Sequence, residues 1–132
     1  MKIGLIGLGK MGYNLALNMR DNKHQVIAYN RSPEKIQMIE KEGITGAYTL
    51  EELVKKLTPP RIIWLMISSG SAVDDMIENL IPLLDKNDII IDGGNSNYKE
   101  TLRRTAYLNQ HELHFVDVGT SGGISGARNG AC

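Results

Sequence analysis

Short apolar runs alternate along the chain with stretches in which apolar residues recur every three or four positions, the patterns of buried strands and amphipathic helices. Residues 2–7 (KIGLIG) predict a first strand, and residues 11–22 a helix with Leu15, Ala16 and Met19 on one face. Residues 25–30 (QVIAYN) predict a second strand. Ser32 then caps a helix that has Pro33 at its first position, Ile36 and Ile39 inside, and Gly43 near its end. A weak third strand surrounds Ala47. Thr49 and Glu52 form a capping box for a helix through Leu57, and Pro59-Pro60 breaks the chain. Residues 61–67 (RIIWLMI) predict a fourth strand. Ser71 and Asp74 read as a second capping box, opening a helix that carries Val73, Met76, Ile77 and Leu80 and whose last turn Pro82 should kink or shorten. Residues 88–92 (DIIID) predict a fifth strand. Asn97 and Glu100 open a helix to about residue 110, and residues 113–118 (LHFVDV) predict a sixth strand. Residues 119–130 are glycine-rich and read as a loop.

Strands alternating with helices predict an α/β fold, a Rossmann-type doubly wound parallel sheet with helices on both faces. Apolar strands without polar alternation fit such a sheet, because both of its faces are buried. No linker or repeat divides the chain, so residues 1–132 read as one domain.

The turn after the first strand carries Gly7-Leu8-Gly9-Lys10-Met11-Gly12, a G-x-G-x-x-G pattern. The pattern alone is weak. Placed between a strand and a helix that lead to a second strand, it predicts a dinucleotide-binding turn rather than a tight turn with no ligand. Gly7 permits the turn, Gly9 lets a pyrophosphate approach the backbone, and Gly12 lets helix and strand pack closely. The second strand ends in Asn30-Arg31-Ser32. A site that prefers NAD places a carboxylate here, for the ribose 2′-hydroxyl. Asn30 has none to repel a 2′-phosphate, Arg31 can pair with that phosphate and lie on the adenine, and Ser32 adds a hydroxyl. NADP is therefore expected over NAD, with NAD still open. The ends of the fourth, fifth and sixth strands are also polar and glycine-rich, which predicts three loops converging on one crevice.

Composition narrows the partners. Fifteen Lys and Arg balance fifteen Asp and Glu, so there is no charge footprint for nucleic acid or an anionic membrane. No apolar run is long enough for a membrane span. The start reads as the first strand rather than a signal peptide. The one cysteine, Cys132, cannot form an internal disulfide and favours a reducing cytoplasm. His24, His111 and His114 lack metal-ligand spacing, and no metal is expected. His24 is placed in the turn before the second strand. Asp74 and Asp75 are adjacent on a helix and so are no acid–base pair. Lys55-Lys56 reads as a solvated helix end.

Together, Ile6-Gly7-Leu8-Gly9-Lys10-Met11-Gly12, Asn30-Arg31-Ser32, Ala72-Val73-Asp74-Asp75, Ile91-Asp92-Gly93-Gly94-Asn95-Ser96 and Ser121-Gly122-Gly123 with Gly126-Ala127-Arg128 resemble the N-terminal half of the 6-phosphogluconate dehydrogenase family. The first stretch is shared with the wider β-hydroxyacid dehydrogenase superfamily, and the Asp92–Ser96 stretch is more specific. The resemblance implies oxidation of 6-phosphogluconate at C3, hydride transfer to NADP and decarboxylation to ribulose 5-phosphate. It implies that Gly7, Leu8, Gly9, Lys10, Met11, Gly12, Asn30, Arg31 and Ser32 hold the cofactor. Asn95 then meets both the nicotinamide and the substrate C3 hydroxyl, and Ser121, Gly122 and Gly123 hold the substrate carboxylate. Ser68-Ser69 stands where long-form members have Lys-Ala, which points to a shorter subfamily. The family's catalytic Lys and Glu lie on a helix beyond residue 132, before a helical C-terminal domain that forms the dimer. No catalytic residue is therefore expected within this chain, which reads as a cofactor-binding fragment of a homo-oligomeric enzyme. Two other readings remain: another β-hydroxyacid dehydrogenase, and a free-standing dinucleotide-binding sensor.

Overall fold

A computed structural model describes residues 1–68, 70–94 and 96–119. Six parallel strands form one sheet in the order β3-β2-β1-β4-β5-β6. They are β1 (Lys2–Ile6), β2 (Gln25–Tyr29), β3 (Thr45–Gly46), β4 (Ile62–Leu65), β5 (Ile89–Asp92) and β6 (His114–Asp117). The helices between them are α1 (Lys10–Asp21), α2 (Pro33–Glu40), α3 (Leu50–Lys55), α4 (Ser71–Leu80) and α5 (Tyr98–Gln110). This is the doubly wound order expected for a Rossmann-type sheet.

Side chains alternate across each strand and feed two cores. Ile3 and Leu5 of β1 join Ala16 and Met19 of α1 and Ile36 and Ile39 of α2 on one face. Ile6, with Ile63 and Leu65 of β4, joins Leu53, Val73, Ile77 and Leu108 from α3, α4 and α5 on the other. Burial on both faces explains why the strands read as continuous apolar runs.

The helix ends follow local chemistry in part. Thr49 Oγ1 accepts the Glu52 N–H at 3.0 Å, as a capping box requires. The Glu52 carboxylate reaches one residue further back than expected, to the Tyr48 N–H at 2.6 Å. Lys56 is not simply solvated: its ammonium pairs with Glu52 at 3.0 Å and donates to the Gly46 carbonyl at 3.1 Å, fastening α3 to β3. Ser32 and Pro33 open α2 as expected, although the Ser32 hydroxyl makes no capping bond. Pro82 lies in a 3₁₀ turn, Ile81–Leu83, that ends α4. Among the described residues no helix is long and apolar enough to cross a membrane, and no group of His, Cys, Asp and Glu could hold a metal ion.

At the amino ends of β4 and β5 a buried ion pair sets the strands side by side. Asp88 is fully buried and accepts the Arg61 N–H at 2.6 Å, the Asp85 N–H at 2.8 Å and Arg61 Nη1 at 3.0 Å. Asp85, whose side chain is 71% exposed, also meets Arg61 Nη1, at 3.1 Å. Removing one partner of a buried pair strands the other, whereas an exposed partner contributes little. Urea denaturation should therefore show Asp88→Ala losing about 3–5 kcal/mol and Asp85→Ala less than about 1 kcal/mol. Equal losses would contradict this division.

Candidate functional site

The strand order reverses beside β1: the chain runs from β1 outward to β2 and β3, then returns to place β4 on the other side of β1. Loops leaving the strands part at such a point and open a crevice at the carboxyl edge. Here the crevice holds about 570 Å³. Gly7 and Gly9 lie beneath it, Asn30, Arg31 and Ser32 flank it after β2, and Met66, Ile67 and Ser68 flank it after β4.

Two glycines are required by the protein's own packing. Gly7 leaves β1 at φ +106°, and a Cβ there would overlap the Met66 carbonyl oxygen. A Cβ on Gly12 would overlap the Gly7 carbonyl oxygen. Gly9 differs. Its φ is −66°, open to any residue, and an added Cβ would meet nothing within 4 Å. The chain itself does not demand a glycine at this position, which leaves room for a ligand to approach the backbone. Gly9 also caps α1 with no side chain, so the first-turn N–H groups have no side-chain acceptor. Those groups and the helix dipole favour an anion.

The rest of the turn divides its labour. The Leu8 side chain is fully buried in the core under α1 and α2. Its N–H donates to Asn30 Oδ1 at 2.9 Å, and Asn30 Nδ2 donates to the Ser32 carbonyl at 3.2 Å. Leu8 and Asn30 thus tie the β1 turn to the β2 turn. Lys10 and Met11 begin α1 without lining the crevice. Arg31 is exposed at the lip, and among the described residues it has no hydrogen-bond or ion-pair partner.

The α4 wall is held from behind. The expected Ser71–Asp74 capping box does not form. Gly70, at φ +94°, takes the cap position, so Ser71 is already inside the helix. Asp74 instead accepts Arg104 Nε at 2.9 Å and Arg103 Nη2 at 3.0 Å from α5. Arg104 is 1% exposed and also donates to the Gly70 carbonyl at 3.1 Å. A buried guanidinium needs a carboxylate partner, and that need outweighs a local cap. Asp75, the next residue, turns to the crevice. The adjacent aspartates therefore face different neighbours, as expected.

After β5 the buried Asp92 accepts the Gly94 N–H at 2.9 Å and the Ser96 hydroxyl. Asn97 caps α5 by accepting the Lys99 N–H at 2.8 Å, while Glu100 turns to Arg103 rather than completing a box. A Cβ on Gly93 would crowd Trp64 and Met66, so this turn lies tightly against the end of β4. The expected substrate-side residues Asn95, Ser121, Gly122 and Gly123 lie outside the described residues.

Residues 2–132 match the family model of the NAD binding domain of 6-phosphogluconate dehydrogenase. The chain belongs to this family. A Bacillus subtilis protein provisionally named as a 6-phosphogluconate dehydrogenase, YqeC, is 46% identical over 132 residues, covering 100% of this chain and 44% of that protein. The decarboxylating 6-phosphogluconate dehydrogenase of Haemophilus ducreyi is 50% identical over 133 residues, covering 97% of this chain and 28% of its own. Among solved structures, a Plasmodium falciparum 6-phosphogluconate dehydrogenase, studied apo, with its cofactor NADP+ and with its substrate 6-phosphogluconate, superposes with a TM-score of 0.93. It is 39% identical, and the match covers 99% of this chain and 29% of that one. The chain thus spans less than half the length of these relatives.

Sequence reasoning located the floor and the β2 wall of the crevice. It missed the α4 wall, where Ala72, Asp75, Met76 and Asn79 line the opening. Their three- and four-residue spacing was a readable signal, but only the packed helix shows which face meets the crevice. Asp92 appeared in the sequence only as part of a motif, and its role is to pin the turn that follows it.

The Arg104 hydrogen bond, with that of Arg103, holds the Asp74 carboxyl below its usual range against the opposing effect of burial. A carboxyl whose pKa is lowered by folding adds stability above its unfolded pKa and loses it as pH falls through the folded value. The stability advantage of the wild type over Asp74→Asn should be full above about pH 5 and shrink below about pH 4. Thermal melts of both proteins across that range check it; a gap that widens on acidification would contradict the assignment.

Proposed function

We propose that the chain is the NADP-binding domain of a decarboxylating 6-phosphogluconate dehydrogenase. The observation that carries the cofactor choice is Arg31, a cation without a partner among the described residues, at the lip of a crevice whose β2 end bears no carboxylate. The Asn30 carboxamide is already engaged with Leu8 and Ser32, so it shapes the turn and leaves Arg31 and the Ser32 hydroxyl for a 2′-phosphate. Gly9 and the uncapped first turn of α1 suit the pyrophosphate.

Bound NADP supplies a hydride acceptor for C3 of 6-phosphogluconate, whose oxidation precedes loss of carbon dioxide to give ribulose 5-phosphate. In this reading Asn95 bonds the C3 hydroxyl and the carboxamide of the cofactor, since an amide both donates and accepts. Ser121, Gly122 and Gly123 hold the substrate carboxylate with backbone N–H groups. The C3 hydroxyl proton needs a base as hydride leaves. That base, a lysine, and the acid, a glutamate, would come from the part of the family's enzymes that this chain does not span, in a homo-oligomeric cytoplasmic enzyme.

Calorimetric titration with NADP and NAD tests the cofactor choice. NADP should bind more tightly, and Arg31→Ala should weaken NADP by roughly 10- to 100-fold, the worth of a charge-assisted contact, with little effect on NAD. Equal binding of both cofactors, unchanged by the substitution, would overturn the NADP assignment.

Gly9→Asp separates ligand binding from folding. Aspartate is a preferred helix cap and its charge suits the dipole, so stability to urea should hold or rise by about 0.5–1 kcal/mol. Dinucleotide binding should be lost, because a carboxylate then occupies the space of the pyrophosphate. Retained binding would show that the phosphates lie elsewhere.

A further inference from the structure

Opposite Arg31, α4 presents a polar face that a phosphate on Arg31 would not use. Asp75 and Asn79 are four residues apart on one side of the helix, and both line the crevice. Both are exposed, and among the described residues neither has a hydrogen-bond or ion-pair partner. The contrast with Asp74 is sharp, since its carboxylate is taken up by Arg103 and Arg104. Asp75 also forms no ion pair with Arg31, although the two line the same opening, so the opposite charges stand apart across it. Ala72 and Met76 give the same wall an apolar surface.

This wall joins an apolar surface to one group that only accepts hydrogen bonds and one that both donates and accepts. Across from it stands a planar guanidinium able to stack on an aromatic ring. That combination suits the edge of a flat nitrogen heterocycle. Building on the dinucleotide reading above, we infer that Asp75 and Asn79 read the amino edge of the adenine ring and decide which purine dinucleotide the crevice accepts. The Asp75 carboxylate accepts from the 6-amino group, and the Asn79 carboxamide donates to a ring nitrogen. A 6-oxo purine turns an acceptor towards Asp75, which loses a hydrogen bond and sets two acceptors against each other.

The test is calorimetric titration with NADP and with its deaminated analogue, nicotinamide hypoxanthine dinucleotide phosphate. The wild type should favour NADP by roughly threefold to tenfold, the range of one or two exposed hydrogen bonds. Asp75→Asn should bring the ratio near one or invert it, because an amide can donate to the oxo group. Asn79→Ala should weaken both dinucleotides and leave the ratio near that of the wild type, because its carboxamide can donate to N1 of adenine or accept from N1–H of hypoxanthine. Glu78→Gln removes the same charge from a residue bonded to Tyr107, and it should leave the ratio unchanged. Equal affinity of the wild type for both dinucleotides would overturn this inference alone. So would Asp75→Asn tightening NADP at a constant ratio, which would place the carboxylate beside the phosphate, or Glu78→Gln matching its effect. No binding of NADP by the wild type would overturn the dinucleotide reading and this inference with it.

Discussion

Where β1 gives way to α1, three stretches of backbone come into van der Waals contact. The Gly7 turn lies against the Met66 carbonyl at the end of β4, and the first turn of α1 lies against the Gly7 carbonyl through Gly12. Met66 also donates its N–H to the Ile6 carbonyl at 2.8 Å, and Gly7 donates to the Tyr29 carbonyl at 3.0 Å. These contacts hold β1 between β2 and β4, so the chain must leave the sheet by a left-handed turn that side chains disfavour. The same geometry parts the flanking loops and opens the crevice. The space above Gly9 is a consequence: once Gly7 and Gly12 have brought the helix close, its first N–H groups stand at the crevice floor.

The chain carries no net charge, so its electrostatics work at short range. Arg61 with Asp88 and Arg104 with Asp74 are cations committed to structure, one at the amino ends of β4 and β5 and one between α5 and α4. Arg104 acts on the site at a distance, because its bond to the Gly70 carbonyl fastens the turn between Ser68 in the crevice and the start of α4. Arg31 is the contrasting case, a cation at the crevice that no described carboxylate neutralises. In a balanced chain, an uncommitted charge beside an open pocket points more strongly to a ligand than total charge could.

The fold was legible because its signals are local or periodic. The strand runs, the glycines at residues 7, 9 and 12 and the Ser32-Pro33 helix start each depend on a few consecutive residues. The misread features depend on distant partners. Ser71 and Asp74 have the spacing of a capping box, but Arg103 and Arg104, about thirty positions on, claim the aspartate. Residues 61–67 read as one strand, yet β4 spans only Ile62–Leu65. At one end the Arg61 N–H turns to Asp88, and at the other the chain bends around Gly7 and Gly93. Lys56 looked solvated because the Gly46 carbonyl it meets belongs to a two-residue strand that the sequence barely marks.

The candidate site divides along the same line. Its floor and β2 wall belong to single loops, where the order of residues nearly dictates their spatial neighbours. Its α4 wall depends on the rotation of a helix about its axis. That rotation is set by Val73, Ile77 and Leu80 burying into the core and by Arg104 holding Asp74 from the far side. Once those four residues take the inner and rear faces, the helical repeat leaves Ala72, Asp75, Met76 and Asn79 for the crevice. The face that meets a ligand is thus the remainder after packing has taken what it needs, and so it could be assigned only after the core was known.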